Sequence, residues 1–435
     1  MKIGLCKSSV LGPISGADEI MLNYAVHLHK AGHDVSVILL YPPTIDDQYL
    51  RRLKLKGVPI STIIPRSYLL ISLRAVRNLT SSILFFLYLV GRAPQRLRNV
   101  WQLAVRFIMQ LHYRACRRFL SRQKLDLLHV FTPDTGAAMM IRAGHELGIP
   151  VLYHEMGTAH HMPMLADYYS HLEKVLPLCT EVAALSPRLA AEWSLRFPFL
   201  DSVSVLPLIA ETNNKVGTGA EPSGGDKIVF GFAARLEEGK GPLILLEAMD
   251  QVRRKGLPAV TRIAGKGPQS WDVKARAREL GLDDACELIG SYSDTMGRND
   301  FMKSLDVFVL PSLAEGTPNG VIEAMAHGLP IIATWVGGIP DIVNAECGIL
   351  IPPGNADALA DAMEQLAGDP ALRAEMGAAA KRRCEKLFSP QAVLPVMLQT
   401  YARVTRNGHE FTQMLSENGM HHPWIEPEVD EIVRA

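Results

Sequence analysis

Short runs of apolar, largely β-branched residues alternate along this chain with longer stretches of helical period. In the first half such runs occupy Lys2–Cys6, Asp34–Leu40, Pro59–Ile64, Asp126–Phe131, Pro150–His154, Glu181–Leu185 and Val203–Leu206. In the second they occupy Ile228–Ala233, Val260–Ala264, Cys286–Ile289, Val307–Leu310, Ile331–Thr334 and Gly348–Ile351. Strands alternating with helices predict parallel sheets covered by helices. Between the two series, "AETNNKVGTGAEPSGGDK" (210–227) has no apolar period and is rich in Gly, Asn, Thr and Ser, which marks a linker. The pattern therefore predicts an α/β chain of two doubly wound, Rossmann-like domains that face each other. The expected division is an N-terminal domain over 1–210, a linker over 211–226, a C-terminal domain over 227–390, and a helix and tail over 391–435 that pack back on the N-terminal domain. Ligands of such sheets bind beyond the carboxyl ends of the strands, here in a cleft between the domains.

One helical stretch departs from this regularity. Residues 66–125 hold 11 Arg and one Lys with no Asp or Glu. Within "NVWQLAVRFIMQLHYRACRRF", apolar residues recur at helical period at Val100, Leu103, Ala104, Phe107, Ile108, Leu111 and Ala115. Arg98, Arg106, Arg114 and Arg117 lie mainly off that stripe. A basic amphipathic helix reads as a binder of an anionic membrane surface. The plainer alternative is a domain helix with its stripe in the core and its arginines in water. The neighbouring apolar run Ile83–Val90, about 12 residues with its extension back to Leu79, is shorter than the ~20 needed to span a bilayer.

Composition adds bounds. At 435 residues the chain suits two or three domains of ~150 residues. Its 45 basic and 45 acidic side chains argue against a chain-wide nucleic-acid binder. The six cysteines are scattered without a CxxC pair, as expected of reduced, mostly buried thiols. "MKIGLCKSSVLG" lacks the apolar core of a signal peptide. The expected location is the cytoplasm, with peripheral attachment to the inner face of the membrane as an extension of the basic helix.

The chemistry concentrates after two strands. In "DVFVLPSLAEGTPNGVIEAMAHGLP", Glu315 lies on the loop at a strand's carboxyl end, and Thr317 and Pro318 suit the N-cap and first position of a helix ending near Ala326 at Gly328 and Pro330. Glu323 falls about one and a half turns in. Backbone N–H groups near Pro318, Asn319 and Gly320, with the helix dipole, make an anion site. Two glutamates in this setting suit either an acid/base pair or a clamp on a sugar-linked ligand; solvated helix charges are the plain alternative. In "GFAARLEEGKG", Arg235 and Lys240 sit on the loop after the first strand of the second series, where a guanidinium and an ammonium would hold a diphosphate. Their plain alternative is a solvated basic loop. No Asp-x-Asp stands at a strand end and no His/Cys cluster has ligand spacing, so no metal site is expected.

These residues carry a resemblance. "ARLEEGKGPLILLEAM", "IAGKGP", the stretch from "DVFVLPS" through "ATWVGGIPDIV", and "GILIPPGNADALADAM" together resemble the GT4-type glycosyltransferases of GT-B fold, densely over residues 226–390. The resemblance implies that Arg235 and Lys240 bind the donor diphosphate, that Glu315 contacts the donor hexose beside Gly316, and that Glu323 binds the ribose hydroxyls. Backbone groups near Pro318, Asn319 and Gly320 would complete the phosphate site.

The first half is similar more loosely. "GPISGADEIMLNYAVHLHKAGHDVSVI" looks like the family's first strand, glycine loop and helix, with Ser15-Gly16 where Gly-Gly is usual, so that backbone approach to the donor rests on Gly16. "DLLHVFTPDTG" looks like its Asp-x-x-His strand. "LYHEMGTAH" places His154 at a family histidine beside the transferred sugar, with Glu155 where Asp is common and with His160 and His161 as acceptor contacts. The plain alternative for each histidine is an ordinary core or surface side chain. Leu208 stands where the family often has Asn.

The expectation is a retaining, metal-independent hexosyltransferase of glycan or polysaccharide biosynthesis with no cofactor. Its donor would be a UDP- or GDP-sugar, and its acceptor a saccharide or lipid-linked saccharide. The catalytic set would be His154, Glu315, Arg235 and Lys240. The alternatives are a GT-B sugar-nucleotide epimerase, a phosphorylase (for which no cofactor lysine is recognisable) and a non-catalytic sugar-nucleotide-binding partner at the membrane.

Overall fold

The computed structural model describes residues 1–9, 16–43, 47–67, 95–131, 135–157, 172–200, 202–210, 227–292, 295–405 and 423–424. The expected linker at 211–226, the apolar run Ile83–Val90, Ser15, His160 and His161 lie outside them.

All thirteen predicted strands are present, each within two residues of its expected bounds. The first series comprises β1 (Lys2–Lys7), β2 (Asp34–Leu39), β3 (Ile60–Thr62), β4 (Leu127–Phe131), β5 (Val151–Glu155), β6 (Glu181–Ala184) and β7 (Val203–Val205). Their helices are α1 (Gly16–Lys30), α2 (Gln48–Leu55), α3 (Gln95–Gln123), α4 (Thr135–Glu146) and α5 (Pro187–Arg196). The sheet order is β3-β2-β1-β4-β5-β6-β7. β1 pairs in parallel with β2 on one side (Ile3 beside Val35) and with β4 on the other (Ile3 beside Leu127). The order therefore reverses at β1, and the carboxyl ends of β1 and β4 flank the place where doubly wound sheets take ligands. Ile3, Leu5, Leu127, Leu128, Val130 and Leu152 are completely buried, as strands covered by helices on both faces require.

The second series comprises β8 (Ile228–Ala233), β9 (Ala259–Ala264), β10 (Cys286–Gly290), β11 (Val307–Leu310), β12 (Ile331–Thr334) and β13 (Gly348–Ile351). It is threaded by α6 (Pro242–Arg254), α7 (Ser270–Glu279), α8 (Thr295–Lys303), α9 (Asn319–Ala326) and α10 (Ile339–Ile342), then closed by α11 (Ala356–Gly368), α12 (Pro370–Phe388) and α13 (Pro390–Val404). The order β10-β9-β8-β11-β12-β13 again reverses at its first strand, and the registers pair all neighbours in parallel. Caps punctuate the closing helices: the side chains of Asn355 and Asp369 accept from Ala358 N and Leu372 N, both at 2.9 Å.

The described residues fall into two compact units. The first takes those within Met1–Glu155, His161–Val182 and Tyr401–Gly408; the second takes those within Met156–His160, Ala183–Thr400 and His409–Ala435. The end of α13 thus belongs to the first unit although it follows the whole second series in the chain.

Helix α3 departs from the plainer alternative, in which its apolar stripe lies in the core. Its buried line is His112, Tyr113, Cys116 and Leu120, whereas Leu103 and Phe107 of the expected stripe are 63% and 65% exposed. The reason is local. α3 packs on α4, with the Arg142 guanidinium 4.9 Å from the Tyr113 ring centroid, and His112 Nδ1 meets Tyr41 OH at 3.2 Å. That seats the helix on a partly polar line one position round from the apolar one. Among the described residues no helix is long and apolar enough to cross a membrane. All six cysteines are free; burial raises the Cys116, Cys286 and Cys384 thiols to about 12, leaving them unreactive.

Candidate active site

In the second unit the loops after β8 and β11 meet at the point where the strand order reverses. The β8 loop turns through a short 3-10 segment, Glu238–Lys240, into Gly241 at φ 67°, the N-cap of α6. A Cβ at Gly241 would stand 2.1 Å from Pro311 O, so the residue's lack of a side chain lets this turn press against the end of β11. Leu313 N donates to Gly239 O at 2.9 Å and ties the two loops together.

This contact delivers a lysine to a carboxylate. Lys240 Nζ lies 2.7 Å from Glu315 Oε1, and Ser312 Oγ donates to the same oxygen at 2.8 Å. Ser312 is itself fixed through its carbonyl, which accepts from Thr334 Oγ1 at 2.6 Å. The Glu315 side chain is 6% exposed and that of Lys240 23%. A charge-assisted pair anchored at one oxygen by a hydroxyl is held in place before any ligand arrives. Its ammonium is a point charge that can turn to an incoming anion, and the second carboxylate oxygen remains an acceptor suited to sugar hydroxyls.

The other predicted residues are placed as follows. Gly316 O accepts from Gly338 N at 3.0 Å. Pro318, not Thr317, is the N-cap of α9, without a side-chain cap bond, and Thr317 Oγ1 is buried with no hydrogen-bond partner. The backbone at Pro318 is extended, with φ −75° and ψ 115°, and this moves the helix start one residue on. Because proline has no N–H, Pro318 cannot supply one to the anion site expected at this helix start. A Cβ on Gly320 would approach Ala233 O to 2.9 Å, so this helix start lies against the end of β8. Glu323 is held by Arg298 of α8, Nη1 to Oε1 2.7 Å. Arg235 shares the β8 loop, but its side chain is 68% exposed and pairs with Glu237 at 3.3 Å. Arg298 and Ser312 escape a sequence reading; only Ser312, three residues before Glu315, lay within a motif already singled out.

In the first unit Gly16 is the exposed first residue of α1. Two positions on, Asp18 forms a wholly buried ion pair with Lys7 at the end of β1. His154, near the end of β5, is buried; its Nδ1 is 3.3 Å from Nε2 of His129 on β4, whose Nδ1 is 2.7 Å from Tyr401 OH. Glu155 accepts from Tyr153 OH at 2.6 Å. Among the described residues no three of His, Cys, Asp and Glu come together as metal ligands.

The sequence matches two family models. One, for glycosyl transferases group 1, takes residues 219–383, and the other, for glycosyltransferase family 4, takes residues 14–212. The first half of the chain thus matches the family 4 glycosyltransferases and the second half the group 1 glycosyl transferases. The chain is 32% identical over 184 residues to a D-inositol 3-phosphate glycosyltransferase of Arthrobacter sp. (strain FB24), covering 39% of this chain and 41% of that one. It is 30% identical over 183 residues to the capsular polysaccharide biosynthesis glycosyltransferase CapM of Staphylococcus aureus, covering 42% and 47%. The match thus spans less than half the length of these curated relatives. In fold the chain is similar to Anabaena Alr3699/HepE, solved in complex with UDP, at a TM-score of 0.68 and 18% identity over 93% of this chain and 100% of that one. Two parallel sheets, each flanked by helices, form the GT-B architecture that the resemblance implied.

Proposed function

We propose that this chain transfers a hexose-type sugar from a nucleotide diphosphate, UDP before GDP, to a saccharide or lipid-linked acceptor in glycan synthesis, with retention and without a metal. The observation that carries the reading is the Lys240–Glu315 pair at 2.7 Å, built where the strand order reverses. Lys240 turns from Glu315 to the diphosphate, the N–H groups of Asn319 and Gly320 add their dipole end, and Arg235 swings in from solvent. Glu315 accepts from hexose hydroxyls. Glu323, already oriented by Arg298, accepts from the ribose, and His154 serves the transferred sugar. The bond from C1 to the diphosphate oxygen breaks with its electrons passing to phosphate. The acceptor oxygen bonds to C1 on the same face, and its proton goes to the departing phosphate oxygen. Cationic groups offset the growing charge in the role a metal has elsewhere. The UDP in the similarly folded Anabaena protein supports the choice of uridine first.

The test is turnover in EDTA with a panel of UDP- and GDP-hexoses, alongside thermal shift. A bound donor stabilises by RT ln(1 + [L]/Kd), so the correct sugar nucleotide raises Tm and is consumed at an undiminished rate in chelator. Loss of transfer in EDTA with rescue by Mg²⁺ or Mn²⁺ overturns the metal-free mechanism, and a donor that binds without turnover marks a non-catalytic binder.

The acceptor side includes a membrane surface in this proposal. Leu103 and Phe107 are exposed on α3 together with Arg106 and Arg114, and neither arginine forms an ion pair among the described residues. Arg117 already serves Glu146 at 3.3 Å, which removes it from the expected lipid set. Each Lys or Arg at an anionic surface contributes ~1 kcal/mol, screened as the Debye length falls from ~10 Å at 0.1 M salt to ~3 Å at 1 M. Changing Arg98, Arg106 and Arg114 to Gln therefore abolishes the salt-sensitive part of co-sedimentation with anionic liposomes, and Leu103→Gln with Phe107→Gln the salt-resistant part. Equal partitioning of wild type to neutral and anionic vesicles would sink the idea.

A further inference from the structure

Tyr401, His129 and His154 form a file of hydrogen bonds in which every hydrogen can be assigned. All three side chains are completely buried. Burial pushes the His129 imidazole well below its ordinary pKa and the Tyr401 phenol well above, so the ring carries one N–H and the phenol keeps its hydrogen. Tyr401 OH and the His129 ring nitrogens have no hydrogen-bond partners beyond this file among the described residues. Either direction of the file leaves one hydrogen over: on the Tyr401 phenol, closed off from any ligand, or on His154 Nε2, the end read as facing substrate, where a sugar oxygen can accept it. Tyr401 therefore donates to His129 Nδ1. The His129 hydrogen then sits on Nε2 and points at His154 Nδ1, which must accept. A hydrogen on that atom would face another at 3.3 Å, so His154 is neutral with its hydrogen on Nε2. Neighbouring rings hold the planes: Phe131 stacks on His129 at 4.2 Å between centroids and Tyr24 on His154 at 6.0 Å.

We propose that Tyr401 and His129 are positioning residues that lock His154 in the Nε2–H tautomer, so that it meets substrate as a hydrogen-bond donor and not as a base. The proposal rests on the reading of His154 as a residue that touches the transferred sugar. A donor suits a sugar hydroxyl oxygen or an oxygen gaining charge as the donor bond breaks. It leaves the acceptor's proton to the departing phosphate. Helix α13, through Tyr401, then forms part of the machinery.

The experiment uses the full chain labelled with 15N-histidine, with long-range 1H–15N spectra assigning the tautomer of each ring and His154→Gln identifying its signals. Wild type shows His154 protonated at Nε2. Tyr401→Phe frees the His129 ring and gives His154 a mixture of tautomers, with kcat falling about tenfold and donor KM changing less than twofold. His129→Gln, which retains an N–H donor in place of Nε2–H, keeps the wild-type tautomer and most of the rate, whereas His129→Phe loses both. Thermal melts confirm that each variant is folded. A wild-type His154 protonated at Nδ1, or one unmoved by Tyr401→Phe, overturns the proposal. If the tautomers behave as stated while His154→Ala transfers sugar at full rate, the lock stands and the placing of His154 on substrate falls.

Discussion

Lys240→Ala lowers kcat/KM for sugar transfer by about 10²–10³, the usual consequence of deleting one donor aimed at charge that grows in the transition state. The ammonium is pre-positioned by backbone, with Gly241 in the left-handed region and the turn packed on Pro311, and waits on Glu315 at 2.7 Å. Its loss also takes a counter-charge from a carboxylate that is 6% exposed, so part of the effect could come from loosened structure. A Tm measured beside the kinetics separates the two, and Glu315→Gln, which keeps the oxygen that accepts from Ser312, shows how far the carboxylate charge matters. Arg235→Ala has the smaller effect, because this guanidinium starts 68% exposed and paired with Glu237 and must be ordered by the ligand. Glu323→Ala acts chiefly on donor KM. Transfer near the wild-type rate by the Arg235→Ala, Lys240→Ala double variant would remove the clamp from the mechanism.

Asp18→Leu costs about 3–5 kcal/mol of stability, because it strands the Lys7 ammonium in the core. Both side chains are buried, and among the described residues the lysine's side chain has no other polar partner. The pair joins the last residue of β1 to the first turn of α1, across the loop whose far end is Gly16. Charges taken out of water hold a structure together only as a pair, so the double variant Lys7→Met, Asp18→Leu recovers most of the loss. Urea unfolding of the four members of the cycle measures this. An Asp18→Leu protein within ~1 kcal/mol of wild type, a surface-pair magnitude, shows that Lys7 finds another place for its charge.

What the amino-acid order revealed followed physical locality. Each strand is a contiguous β-branched run, so its position could be read to within two residues. Lys240 and Glu315 could be read as a ligand site because each stands on a short loop after such a strand, where backbone topology alone decides the neighbourhood. Arg298 could not, since its bond to Glu323 joins side chains of two helices 25 residues apart that no periodicity relates. His129 was visible as the histidine of the Asp-x-x-His strand but not as the partner of His154, and Tyr401 not at all. On α3 the apolar period grouped Leu103 with Phe107 correctly on one face but could not tell whether protein covers it; His112 and Tyr113 took the core position through a hydrogen bond and an arginine contact. At Thr317 a good capping residue lost its place to Pro318, whose own extended conformation starts the helix one residue later.

The bond from Tyr401 to His129 spans 272 residues, and that from Arg403 to Glu181 spans 222. On the ribosome, β4 emerges long before the tyrosine that completes its surroundings has been synthesised. At ~5–20 residues per second the interval is roughly 15–50 s. Throughout it the buried imidazole of His129 lacks its phenol, and the nascent first unit waits, incomplete, for α13 to leave the exit tunnel. A stop codon at position 400 would produce a chain retaining every loop of the Lys240–Glu315 site while its earliest-made unit could never be finished.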